Sequence, residues 1–242
     1  MDGSRFPLSV PEPLGLDGVH IWHASLDTVA WGSQDTDRYL SAEEKNRAKH
    51  FVFARDRRRY VLGRAVLRML LGRCLGVQPE EISFRYNSYG KPELQGSDIS
   101  FNMSESSGRV VVAITRNRRV GVDIEQIRDI PQMLQVRRRF FSKSENELLR
   151  AYSGSLQKEK FFEIWTRKEA LIKAVGEGLN IPLESFDVSG SVEEGIHFIR
   201  LERDSTIGGG WGICNLDVES EYAAAVAVEL PCPLPPQVHD FS

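Results

Sequence analysis

Three carboxylates and their neighbouring lysines mark out the chemistry this sequence could do. The stretch VGVDIEQI, residues 120–127, sets Asp123 and Glu125 at alternate positions. In a strand, alternate residues share a face, so both acids point the same way, roughly 6–7 Å apart along the chain. Gly121 falls on that face and is expected to leave open space beside them, while Val120, Val122 and Ile124 bury on the other. A bare Asp-x-Glu is most often two solvated acids on an exposed edge. A third acid changes the reading. The stretch WTRKEALIKAVGEGL, residues 165–179, reads as a helix with a core stripe of Trp165, Leu171, Ile172 and Val175, and Glu169 shares that side. Three oxygen donors with no histidine or cysteine nearby suit a hard cation such as magnesium, and manganese fits the same oxygens. Lys173 follows Glu169 at i+4 and reads either as a surface ion pair or as an ammonium beside a metal-bound phosphate. Lys168, next door, admits the same second reading.

Positive charge is concentrated elsewhere. Between Lys45 and Arg73 lie ten basic residues, Arg47 and Arg59 among them, against one acid, Asp56. A charge run is commonly a solvated helix face. This one-sidedness favours a phosphate site, because the arginine fork matches phosphate oxygens. The run RRRF at 137–140 reads as surface.

The elements that must hold these residues are legible in outline. VHIWHASL reads as a first strand, after an irregular lead-in rich in proline and glycine. Ser41 and Glu44 stand at capping-box spacing, so a helix starts there, continues through RRRYVLGRAVLRMLLGRCLG and stops at Gly76. ISFRYNSYGKPEL reads as strand, turn and extended segment. RVVVAITRNRRVGVDIEQI reads as two strands joined at Asn117. QMLQVRRRFFSKSENELLRAY and KEKFFEIWTRKEALIKAVGEG read as two helices. FDVSG, IHFIRLE, GWGICNLD and YAAAVAVEL read as short strands, and PCPLPPQVHDFS as a loose tail. Both halves run strand, helices, strands, which permits a duplicated α+β architecture.

Composition narrows the class. The chain has 242 residues and a net charge of −3, which predicts no general attraction to nucleic acid or membranes. Cys74, Cys214 and Cys232 are odd in number and far apart, so neither a disulfide framework nor a zinc site is expected, and a reducing cytoplasmic setting fits. The N-terminus lacks the pattern of a signal peptide, and no apolar run is long enough to span a bilayer.

GVDIE, then FFSKSE, then FFEIWTRKEALIKAVGEGL, preceded by FVFARDRRRYVLGR, YGKPEL and FNMSES, resembles the 4′-phosphopantetheinyl transferases, in particular the long, monomeric type that activates surfactin synthetase. The resemblance covers roughly residues 40 to 190. It implies two similar α+β halves related by a pseudo-two-fold axis, with the active site between them. The halves are expected at 1–118 and 119–230, with 231–242 as the tail. It implies coenzyme A as donor, a serine of an acidic acyl or peptidyl carrier protein as acceptor, and 3′,5′-ADP as the leaving product. By motif position Asp123, Glu125 and Glu169 would hold magnesium. Arg47, Arg59, Lys91, Pro92, Ser104 and Lys168 would contact coenzyme A, Lys173 would sit near the phosphates, and Glu169 is the candidate base. The segment from Ile127 to Arg139 and the end of the KEALIKAVGEG helix would meet the carrier.

The sequence departs from the family at one place. The family's usual serine-histidine-serine motif puts its histidine near the donor's 3′-phosphate, and here Glu105 stands in its place. The expectation is that Glu105 turns aside and pairs with Arg47 or Arg59. The alternatives are a carboxyl protonated by the neighbouring phosphate, or a looser grip on that phosphate. A nucleic-acid-binding module or a coenzyme A binder without transfer are the competing functions. The overall charge argues against the first and the presence of all three acids against the second. A GxxxxGK[ST] phosphate loop is absent.

Overall fold

The computed structural model describes residues 18–28, 36, 38–190, 192–193, 195–201, 210–232 and 235–240. Apart from Gly18, the proline- and glycine-rich lead-in lies outside the described residues. Ser41 starts the first helix, α1 (Ala42–Ala48), through the expected box: the Glu44 amide donates to Ser41 Oγ at 3.2 Å, and the Ser41 amide to Glu44 Oε2 at 3.0 Å. Residues 49–53 interrupt the helical run that the sequence reading carried through. The chain then forms α2 (Ala54–Leu75), closed by Gly76 at φ 69°.

Two main sheets follow. The first has the order β11-β1-β5-β4, from β1 (Val19–Ser25), β4 (Ile99–Ser106), β5 (Arg109–Arg116) and β11 (Gln237–Asp240). The proline-rich tail is therefore not loose along its length. It runs parallel to β1, covering an edge that would otherwise expose unpaired backbone groups, and His239 stacks on Trp22 at 4.9 Å. The second has the order β6-β10-β9-β8-β7, from β6 (Val120–Gln126), β7 (Val192–Glu193), β8 (Ile196–Ile199), β9 (Trp211–Leu216) and β10 (Tyr222–Glu229). Between α2 and β4 a separate hairpin forms from β2 (Phe84–Tyr86) and β3 (Pro92–Leu94). The turn at Asn117 exists, with φ 57°, but β5 and β6 do not pair; the chain crosses there from one sheet to the other.

Ser142 splits one expected helix in two, because its hydroxyl caps the Glu145 amide and starts a new helix. The result is α3 (Met133–Phe140) and α4 (Lys143–Arg150), followed by α5 (Gly154–Val175). FDVSG is not a strand. Its Asp187 instead accepts hydrogen bonds from the hydroxyls of Ser142, Ser144 and Ser189.

Side-chain alternation sorts these pieces into helix, sheet, sheet, helix. Leu62, Val66, Leu67 and Leu70 of α2 pack on Trp22, Val110, Val112 and Ile114. The other face of that sheet, with Ile21, Val111 and Ala113, meets Val122, Ile124 and Val226 of the second sheet. Ala223, Ala225 and Ala227, on the second sheet's outer face, meet Ala170, Leu171 and Ala174 of α5. The fold is mixed α+β.

Gly121 does not open space beside the acids. A Cβ there would overlap the Ala170 carbonyl oxygen and the Ala174 backbone, so α5 lies directly on β6. Gly121→Ala is expected to push the two apart and to destabilise the chain by about 1–3 kcal/mol, the usual cost of overpacking a tight contact. Chemical denaturation measures it; an unchanged midpoint would show that the contact is slack.

Candidate active site

The close approach of α5 to β6 brings the predicted acids together. Asp123 is 3% exposed. Its Oδ1 accepts from Lys173 Nζ at 2.6 Å and from Ser104 Oγ at 2.8 Å, while its Oδ2 is buried with no hydrogen-bond partner among the described residues. Glu125 Oε2 accepts from Ser106 Oγ at 3.0 Å. Lys173 also donates to Ser104 Oγ at 3.0 Å.

Strand β4 supplies the hydroxyls through simple alternation. Phe101 and Met103 face α2 and its core, and Glu105 lies over Gly63 of α2. Asn102, Ser104 and Ser106 face the other way, onto β6. Asn102 Oδ1 accepts from the Val122 amide at 2.9 Å, and Ser106 Oγ accepts from the Gln126 amide at 3.1 Å. Two edge strands of different sheets are thus stitched by side chains. Asn102 and Ser106 were missed as site-builders, although the alternation in FNMSES carries the signal.

Burial first, and crowding of like charge second, show in the ionisation. Burial raises the Asp123 carboxyl, against the pull of Lys173 and Ser104. Burial, then the nearby Asp123 charge, raises Glu125. Glu169 is pushed up to about 7 by burial, then by Asp123, with Lys173 opposing. A cation placed among them would relieve all three. Among the described residues no group of three or more His, Cys, Asp or Glu side chains is arranged to hold a metal ion by itself. The three acids expected to bind a cation are therefore not converged as a preformed metal group; a cation there would need phosphate oxygens and water to complete its shell. The donor set fits: all oxygen, acidic, with one buried carboxylate oxygen unpartnered.

A groove of about 670 Å³ on the first half is lined by Arg47, Tyr60, Arg64, Phe84, Tyr86, Pro92, Met103 and Glu105. A recess of about 350 Å³, lined by Tyr89, Lys91, Pro92, Asn102, Glu169 and Lys173, shares Pro92 with it. Arg47 lies over the Tyr60 ring, 5.5 Å from its centroid. The basic run is thus partly groove lining and partly internal bracing. Arg68 is buried, bonding Glu44 and the carbonyls of Pro79 and Ile82, and Arg58 bonds the Leu26 carbonyl. Arg137 of the RRRF run is buried too, against Asn146.

Four predicted contacts stand elsewhere or differently. Lys168 is wholly buried, paired with Glu145 at 2.9 Å and bonded to the carbonyls of Leu183 and Phe186, so it faces away from the carboxylates and braces α5. The ammonium of Lys91 is committed to three backbone carbonyls. Arg59 makes a two-pronged pair with Asp27, at 2.9 and 2.6 Å, and is not among the groove's lining residues. Glu105 makes no ion pair with Arg47 or Arg59 among the described residues. Its residue surface is open to the groove, yet its carboxyl lies against α2, and crowding by protein pushes it up to about 7 despite Arg64 and Arg59.

Buried carboxylates thus lie beside an arginine-lined groove, whose guanidinium groups suit phosphate oxygens. Residues 119–227 match the family model for the 4′-phosphopantetheinyl transferase superfamily, and residues 29–117 match that for the 4′-phosphopantetheinyl transferase N-terminal region. The chain is 35% identical over 227 residues to the 4′-phosphopantetheinyl transferase HetI of Nostoc sp., covering 90% of this chain and 92% of that protein. It is 34% identical over 151 residues to the 4′-phosphopantetheinyl transferase Sfp of Bacillus subtilis, covering 62% of this chain and 66% of that protein. A holo-(acyl-carrier-protein) synthase from Bacillus anthracis in complex with CoA (3′,5′-ADP) is 20% identical, with a TM-score of 0.35 over 46% of this chain and 94% of that one, a likeness too slight to carry an argument. The chain belongs to the 4′-phosphopantetheinyl transferase superfamily.

The ionisation of Glu169 makes a prediction about stability. In the folded chain its carboxyl keeps its proton up to about pH 7, against an ordinary value of 4.5. The folded state therefore binds the extra proton between those values and loses stability as pH rises through that window. Glu169→Gln is expected to stabilise the metal-free chain at pH 8 by on the order of 1–2 kcal/mol, and to make no difference at pH 4. Thermal unfolding in a chelator at the two pH values measures it. A variant that is less stable at pH 8 would mean that the Glu169 charge braces the fold.

Proposed function

We propose that the chain transfers the 4′-phosphopantetheine group of coenzyme A to a serine of an apo acyl or peptidyl carrier protein, with magnesium, releasing 3′,5′-ADP. One observation carries the reading: a buried, unpartnered carboxylate oxygen on Asp123, set with Glu125, Glu169 and Lys173 beside an arginine-lined groove. The first half, 1–118, would hold the adenine and phosphate end of the donor, and the second, 119–230, the metal and the carrier.

Asp123, Glu125 and Glu169 would hold the cation. When bound, it neutralises charge on the pyrophosphate and fixes the phosphorus for in-line attack. The Lys173 ammonium, anchored on Asp123 and Ser104, would face the non-bridging oxygens and offset charge as it redistributes. Arg47 would grip donor phosphate in the groove, beside Arg64, whose guanidinium is already paired with Glu44. The carrier serine must lose a proton. Glu169 has the matching property, a carboxyl near 7 that accepts and releases a proton near neutrality. For the carrier, α3 offers exposed Leu134 with Arg138 and Arg139, an apolar contact with a basic rim for an acidic partner. The chain would act as a monomer. Among the described residues no helix is long and apolar enough to cross a membrane.

The direct test incubates the protein with an apo carrier, coenzyme A and magnesium. A mass gain of one phosphopantetheine that requires both additions is expected. Asp123→Ala should lower the rate by two or more orders of magnitude, since each 1.4 kcal/mol is about tenfold. Near-normal turnover of that variant in saturating magnesium would sink the assignment.

The groove makes a second prediction. Arg47→Ala is expected to raise the KM for coenzyme A about tenfold or more, and Arg59→Ala less, because the latter guanidinium is committed to Asp27. The opposite order in steady-state kinetics would move the donor phosphate to Arg59.

A further inference from the structure

The β2–β3 hairpin stands apart from both main sheets, and its turn reaches the last turn of α5. Asn87 stiffens that turn: its Oδ1 accepts from the amides of Tyr89 at 2.9 Å and Lys91 at 3.0 Å. Its Nδ2 donates to the Gly176 carbonyl at 3.0 Å. Lys91 Nζ donates to the carbonyls of Lys173 at 2.6 Å, Ala174 at 3.2 Å and Val120 at 3.1 Å. The last carbonyls of a helix have no partner within it and carry negative charge, so an ammonium and an amide are apt caps.

The choice of carbonyls is informative. Lys173 is the residue whose ammonium holds Asp123, and Val120 opens the strand that carries Asp123 and Glu125. One side chain therefore reaches both elements that build the carboxylate site, from the hairpin whose Tyr86 and Pro92 wall the groove. Gly176 admits the clasp: it holds φ 82°, and a Cβ there would stand 3.2 Å from Lys91 Cδ. None of the hydrophobic cores depends on Asn87 or Lys91.

We infer that Asn87 and Lys91 are positioning residues, a clasp that fixes the end of α5 against the hairpin and so sets Glu169 and Lys173 in register with donor phosphate in the groove. The inference rests on the transferase reading above. It gives Lys91 work through the helix end, in place of direct contact with the donor. Burial holds the Lys91 ammonium down to about 8, as befits a charge enclosed by carbonyls.

The test compares Lys91→Met, Lys91→Arg and Asn87→Ala in the full chain. Lys91→Met is expected to lower kcat for transfer to an apo carrier about ten- to a hundredfold, the scale of a small misplacement of reacting groups. Calorimetric affinity for coenzyme A should stay within about threefold of the parent. Lys91→Arg should restore part of the rate, and Asn87→Ala should lower kcat in the same direction, which keeps the test open if Lys91→Met folds poorly. Amide hydrogen exchange at residues 173–176 should quicken in Lys91→Met and Asn87→Ala, a readout that needs no turnover. Lost coenzyme A affinity with kcat preserved would make Lys91 a donor contact and overturn the clasp. Unchanged kcat and exchange in Lys91→Met would overturn it too. Faster exchange in a protein that never modifies a carrier would leave the clasp standing and defeat the transferase reading.

Discussion

The closeness of α5 to β6 is the constraint on which the site depends. Gly121 has no side chain and its cross-strand partner Ala227 has a small one, so the helix backbone rests on the strand. The contact fixes the depth at which Glu169 and Lys173 arrive over Asp123. It also excludes water, which is why the carboxyls titrate high. Packing of apolar residues and concentration of charge are here one geometric fact. The helix core of Phe161, Leu171 and Ala174 supplies the hydrophobic energy that holds like charges together.

The second constraint is the seam between the two sheets. β4 and β6 are edge strands that approach each other without a backbone ladder. Asn102 and Ser106 accept β6 amides with their side chains instead, and Ser104 and Ser106 reach the carboxylates. The polar face of β4 therefore joins the halves and orients the acids, while its apolar face anchors α2. Lys168, fully buried against Glu145, fixes the rotation of α5 from the opposite side. Adjacent residues of one helix, Lys168 and Glu169, thus face bracing and chemistry respectively.

Much of this was legible in the residues. Strand alternation in VGVDIE, the capping box at Ser41 and the glycine stop at Gly76 are local signals, and local physics fixes them; the box at Ser142 is as local, but the helical reading ran through it. Periodicity set Asp123 with Glu125 on one strand face and Glu169 with Lys173 on one helix face; that the two faces meet was implied by the family resemblance. What was not legible is long-range. Gly121 reads as space until a helix is placed on it. Lys168 reads as a phosphate ligand until Glu145 is found beside it. The tail strand depends on an edge of β1 that the sequence does not mark, and Glu105 was expected to find an arginine but lies over Gly63. Each miss concerns a partner distant in the chain, where composition and spacing carry no information.

The central claim is that α5 and β6 press carboxylates together and that a divalent cation discharges the crowding. The most direct measurement is the titration of the Glu169 side-chain carboxyl by carbon-13 nuclear magnetic resonance, in chelator and then in saturating magnesium with coenzyme A. A midpoint near 7 in chelator, falling by at least about one unit with magnesium, is the result expected from a carboxyl raised by burial and by neighbouring acids and relieved by a cation. A midpoint near the ordinary 4.5 in chelator, unmoved by magnesium, would contradict it.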